Sequence, residues 1–88
     1  MTKKNEELEL FDIADRFIVI ANQIVQKEEQ GVGRVGAALR YAAARFSAHE
    51  AALGTKDLAA DKQKALDWFV DQYAKMLSDN LDQHAKKQ

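Results

Sequence analysis

Cysteine and proline are missing from this 88-residue chain, and glycine occurs only four times. Without cysteine there is no disulfide framework, no thiolate metal site and no cysteine nucleophile. Without proline, and with so little glycine, long helices run uninterrupted. Charge of one sign is also scarce: thirteen basic residues oppose fourteen acidic ones, leaving a formal charge of -1. No electrostatic excess is left to attract a phosphate backbone or an anionic membrane surface. Long apolar runs are absent too. The longest, Phe17 to Ala21, is far short of the ~20 residues that span a bilayer. The N-terminal stretch MTKKNEELELF has no apolar segment leading to a small-residue cleavage site, so it does not read as a secretory signal. The compartment expected is the cytoplasm, with neither membrane nor nucleic acid as a partner.

What is there is hydrophobic residues at 47% and charged residues at 31%, the balance of a helix-rich globular chain rather than a disordered one. The expected fold class is all-α, with residues 1–88 as one helical domain, 1–4 and 84–88 being mobile tails. Asn5 followed by Glu6 and Glu7 reads as an N-cap with acids in the first turn. Helix one starts there, with two adjacent apolar seams: Leu10, Ile13, Phe17, Ile20 and Ile24 beside Phe11, Ala14, Ile18, Ala21 and Val25. The pattern ends in the polar run Gln26 to Gln30, and Gly31 suits the left-handed C′ position. Helix two follows after two or three residues and ends at Leu53, with Gly54 as its C′ residue. Thr55 or Asp57 caps a third helix reaching about Asn80 or Gln83. Its inward residues are Leu58, Leu66, Phe69, Val70, Tyr73, Met76, Leu77 and Leu81.

Helix two is the element the others are expected to pack around. One stripe, Val32, Val35, Leu39, Ala42, Phe46, His49 and Leu53, recurs at alternating spacings of three and four. A second stripe, Ala37, Tyr41, Ala44, Ala48 and Ala51, lies on the far side, with Tyr41 about 200° from Leu39 at ~100° per residue. Short connections predict three long helices in an antiparallel bundle. The second stripe exceeds what one bundle needs, as does Trp68, about 160° from Leu66 on helix three. The expected assembly is therefore a homodimer formed through helix two. Its candidate interface is Ala37, Arg40, Tyr41, Ala44, Arg45, Ala48, Ala51 and Trp68. Alanine is also a strong helix former on exposed faces, and that reading of the stripe stays open.

No residue set specifies a reaction. Gly31, Gly33 and Gly36 match the pattern GxGxxG, but a dinucleotide fingerprint needs a strand before it, and here a polar helix end precedes it. The simpler reading gives Gly31 and Gly33 to an interhelical turn and Gly36 to close helix packing. A weaker alternative keeps the free N–H groups near Gly33 to Gly36, with Arg34, as an anion site. His49 has no second ligand three or four residues away, and Asp12 with Asp15, or Asp67 with Asp71, share polar, solvated faces. Ser47, Thr55 and Ser78 lack a base placed to activate them. No catalytic residue, metal or cofactor is assigned. Asp71 and Lys75 form a four-spaced surface pair.

The segments FDIADRFIVIANQ, VGAALRYAAARFSAH and WFVDQYAKMLSDNLDQH together resemble an uncharacterised family of short bacterial proteins, catalogued only as a domain of unknown function. The resemblance implies a bacterial, cytoplasmic, helical protein and supplies no activity. The function expected is non-enzymatic: a homodimeric protein-protein interaction or scaffold module that docks another protein. The alternative is a small-ligand or anion-binding protein with a pocket between helices, near His49, Tyr73 and Asn80.

Overall fold

Three helices account for most of the chain in the computed structural model, which describes residues 7–88. They are α1 (Leu10–Lys27), α2 (Val32–Leu53) and α3 (Leu58–Ala85), and the described residues include no strand. The all-helical class and the number of helices agree with the periodicity. The chain divides into two compact units, Met1–Ala43 and Ala44–Gln88, so that α2 contributes its first half to one and its second half to the other.

α1 begins later than expected. The Asn5 cap and the tail 1–4 lie outside the described residues, but Glu7 to Glu9 precede the helix. Glu9 is the N-cap, with extended backbone and no side-chain capping bond. Its carbonyl accepts from the N–H groups of Asp12 at 3.0 Å and Ile13 at 3.1 Å.

The expected glycine termini are corrected as well. α1 stops at Lys27, and the left-handed residue beyond it is Glu29, with φ 56°. No glycine of the described residues has positive φ. The Ile24 carbonyl accepts from both Glu28 N–H at 3.2 Å and Gln30 N–H at 3.4 Å, and Gln30 Nε2 donates to the Glu28 carbonyl. The helix therefore closes two residues before the first glycine. Gly31 then caps α2 by accepting from Val35 N–H at 3.0 Å. Gly33 lies inside α2 rather than in a turn. At Gly36 an added Cβ would meet only Arg40 Nη1, at 3.4 Å, so no close approach of α1 calls for a glycine there. Gly54 does follow α2, closing it with an N–H bond to the Ala51 carbonyl at 3.0 Å.

Burial in each unit is confined to its connection. In the first, Ala21, Ile24 and Val25 of α1 and Gly36 of α2 are half-buried and Val35 is 8% exposed, the one buried residue among those described. In the second, Ser47 and Ala51 of α2, Thr55 of the connection, and Leu58, Ala65 and Phe69 of α3 are half-buried. The remaining positions expected to face inward are exposed: Leu10, Ile13, Phe17 and Ile20 on α1, Leu39, Phe46 and Leu53 on α2, and Leu66, Val70, Tyr73, Met76, Leu77 and Leu81 on α3.

The cover stays near the connections: the half-buried positions of α1 lie within its last seven residues and those of α3 within its first twelve, and the apolar stripes beyond them are open.

The α1 end yields a prediction. Holding a non-glycine residue in the left-handed region costs about 1 kcal/mol, so Glu29→Gly raises stability by about that much. Gly33→Ala, inside a helix with open space around the new Cβ, adds about 0.5 kcal/mol. Thermal unfolding followed by circular dichroism should show both melting temperatures above that of the parent chain; a fall for Glu29→Gly contradicts the left-handed assignment.

Candidate functional site

The second stripe of α2 stands almost wholly in solvent. Ala37, Arg40, Tyr41, Ala44, Arg45 and Ala48 are exposed, Tyr41 by 64%. Four-residue spacing keeps Ala37, Tyr41 and Arg45 on one line of the helix, with Arg40, Ala44 and Ala48 beside them. Tyr41 and Arg45 each have an interaction with another group. Ala51 differs from the rest of the stripe: it is half-buried within its own unit, beneath the start of α3. Trp68, on α3, is 56% exposed.

Ala51 and Trp68 instead share a groove that no sequence pattern pointed to. It encloses about 280 Å³ and is lined by the end of α2, the Gly54–Thr55 turn and the first three turns of α3, including Leu58, Lys64, Ala65 and Phe69. The turn shapes it. Thr55 Oγ1 accepts from Asp57 N–H at 3.1 Å and donates to the Asp61 carboxylate at 2.5 Å. Asp57 is the N-cap of α3, its carboxylate accepting from Ala60 N–H at 3.1 Å. Both residues expected to cap α3 thus take part, Asp57 at the cap itself and Thr55 by bracing the loop. At the groove's far end the Trp68 and Phe69 rings meet edge to face, centroids 5.0 Å apart at 86°, a favoured aromatic geometry.

The other candidate set does not converge on that groove. His49 is exposed and tilts against Phe46 of its own helix, centroids 5.9 Å apart at 55°. Tyr73 is about half exposed. Asn80 spends its amide on α3, donating from Nδ2 to the Met76 carbonyl at 2.8 Å. One turn on, His84 Nδ1 donates to the Asn80 carbonyl at 2.9 Å, because a carbonyl can only accept. α3 therefore continues past Gln83 to Ala85. None of His49, Tyr73 and Asn80 lines the groove.

The charged surface is solvated. Lys75 and Asp71 meet at 3.1 Å as the spacing anticipates, an exposed pair worth a few tenths of a kcal/mol. Gln63 Nε2 donates to Asp67 at 2.8 Å. Among the described residues no group of three or more His, Asp or Glu is placed to hold a metal ion. No helix of the described residues is long and apolar enough to cross a membrane.

What the fold and these surfaces define is a small helical protein with wide apolar exposure among the described residues. The chain belongs to the family described as Protein of unknown function (DUF3144), whose model matches residues 10–85. That match begins at the first residue of α1 and ends at the last of α3. No curated protein and no solved structure matches the chain.

The cap at the groove gives the next prediction. Asp57→Ala removes the acceptor of Ala60 N–H and lowers stability by about 1 kcal/mol, a drop of about 4–8 °C in melting temperature for a domain of this size. Asp57→Asn retains an acceptor and should recover most of that loss. Equal losses in the two variants would show that the capping bond is not what Asp57 contributes.

Proposed function

We propose that this chain is a non-enzymatic interaction module that works as a homodimer. One observation supports the reading. Twenty large hydrophobic residues among those described are exposed in the single chain, whereas scattered single exposures are what an isolated soluble domain ordinarily shows. A second copy offers cover of the right kind, because its own stripes are equally open. The antiparallel bundle anticipated by the periodicity is then completed between copies: segments left open in one chain are covered by helices of the partner.

The α2 stripe suits recognition of a further protein. Tyr41 supplies a rigid aromatic surface, Arg40 and Arg45 flank it, and Ala44 and Ala48 keep the ground around it low. Tyrosine and arginine surrounded by small contacts are the usual composition of an interaction hot spot. A formal net charge of only -1 favours a protein partner over a nucleic acid, and the compartment proposed remains the cytoplasm.

Sedimentation equilibrium of the full chain at micromolar concentration tests the assembly. The expected mass is twice the 9.9 kDa of one chain; a species that stays at 9.9 kDa up to about 100 μM, well above the dissociation constants of stable pairs, overturns it.

A further inference from the structure

Each helix carries an apolar seam at alternating spacings of three and four, and the three seams differ in how much of their length is already covered. On α1 the seam Leu10, Ile13, Phe17, Ile20 and Ile24 loses its last member, which is half-buried in its own unit. On α2 the seam is broken near its start by Val35, 8% exposed. On α3 it runs Leu66, Val70, Tyr73, Leu77, Asn80 and His84, and every one of these is exposed, the first four by 49, 58, 49 and 41%. That open seam extends about 28 Å, against about 16 Å for Leu10 to Ile20 on α1, at 1.5 Å per residue. The groove does not compete for it. At the 3.5 residues per turn of a coiled pair, Asp61 and Trp68, which line the groove, lie about 180° from the centre of the seam.

We infer that two copies pair through this seam, α3 beside α3 in parallel. The inference rests on the self-association proposed above and names where it occurs. Charge selects both the occupant and the orientation. Lys62 and Asp67 lie roughly 75° to either side of the seam's centre, one on each flank, and five residues apart. In a parallel pair that is the offset at which one flank of a helix meets the opposite flank of its mate, so Lys62 of each copy reaches Asp67 of the other. Two opposite-charge pairs result, at an edge where they set orientation more than they add affinity. The same offset brings Phe69 to Ala74 and Met76 to Leu81 of the second copy, apolar against apolar. Leu66 and Val70 fit the leucine and β-branched preferences of the two alternating seam positions in parallel two-stranded pairs. An antiparallel pair brings like flanks together, and Lys62 then never meets Asp67. Nor does α1 serve as the occupant: its seam is flanked by Ala14 and Ala21 on one side and Arg16 and Gln23 on the other, none of them an acid for Lys62.

The absence of cysteine makes the test direct. Asn80→Cys places a thiol on the seam, where parallel pairing sets it opposite its own mate, and mild oxidation should give a covalent dimer. An antiparallel seam centred between Val70 and Tyr73 holds the two thiols about 25 Å apart, too far for a disulfide. Asp79→Cys, turned away from the seam, should stay unlinked. Val70→Asp puts a carboxylate into the seam and should weaken self-association by about 100-fold in sedimentation. Because Val70 is 58% exposed in the single chain, its loss opens no core, and helicity by circular dichroism should be unchanged. Lys62→Glu should weaken pairing about fivefold, and adding Asp67→Lys to the same chain should restore it. Ala44→Glu should leave the dissociation constant within about threefold of the parent, as expected of a position away from the seam. If Ala44→Glu dissociates the dimer and Val70→Asp does not, the α3 seam is wrong and self-association stands elsewhere on the chain. If Val70→Asp dissociates it but Asn80→Cys links no better than Asp79→Cys, the parallel orientation is wrong. If the parent chain is monomeric, both this inference and the reading beneath it fail.

Discussion

Everything in this structure depends on how little of its apolar stripes is covered within each unit. α2, at 22 residues, gives its first half to one unit and its second half to the other, and the covered positions cluster near the two connections. Val35 and its half-buried surroundings in one unit, and Ala51, Leu58, Ala65 and Phe69 in the other, are the covered parts of the apolar pattern. Fully burying a valine-sized side chain contributes about 1.5–3 kcal/mol. Two small clusters of that kind are a thin basis for a chain in which 47% of the residues are hydrophobic.

That shortfall points the functional reading toward association. Of the residues considered for a pocket, Asn80 spends its amide on its own helix, donating to the Met76 carbonyl, and His49 is exposed. The surface supplies apolar area in quantity and charge in balance, which is the raw material of protein-protein recognition. Family membership fits without adding to this: the model that matches residues 10–85 covers all three helices, and its function is unknown.

The two connections reach the same result by different local chemistry. Between α2 and α3, polar side chains do what the chain needs: Thr55 and Asp57 satisfy backbone donors and hold Asp61, so the turn is braced by its own sequence. Between α1 and α2 the backbone does the work, with the Ile24 carbonyl accepting twice and Glu29 held in a conformation that suits glycine better. Conformational strain is stored at the first connection, beside the buried Val35, and not at the second.

Local rules were enough for the elements. The existence of three helices, the Asp57 cap, the place where α2 ends and the Asp71–Lys75 pair all follow from interactions within a few residues of chain, and each could be read from the order of side chains. The end of α1 was misread because Gly31 looked like the natural left-handed residue, whereas the chain turns at Glu29 and uses Gly31 to begin the next helix. Which apolar positions are covered was beyond the sequence, and so was the groove between the end of α2 and Trp68. A period of 3.6 marks a face as apolar without saying how far the facing helix extends. The sequence by itself determined that Leu10, Phe17, Tyr73 and Leu81 would lie on apolar stripes of helices. Tertiary structure alone decided that they stay open while Ala51, Ser47 and Gly36 do not, because cover depends on where two helices meet, and within each unit that is near the connection.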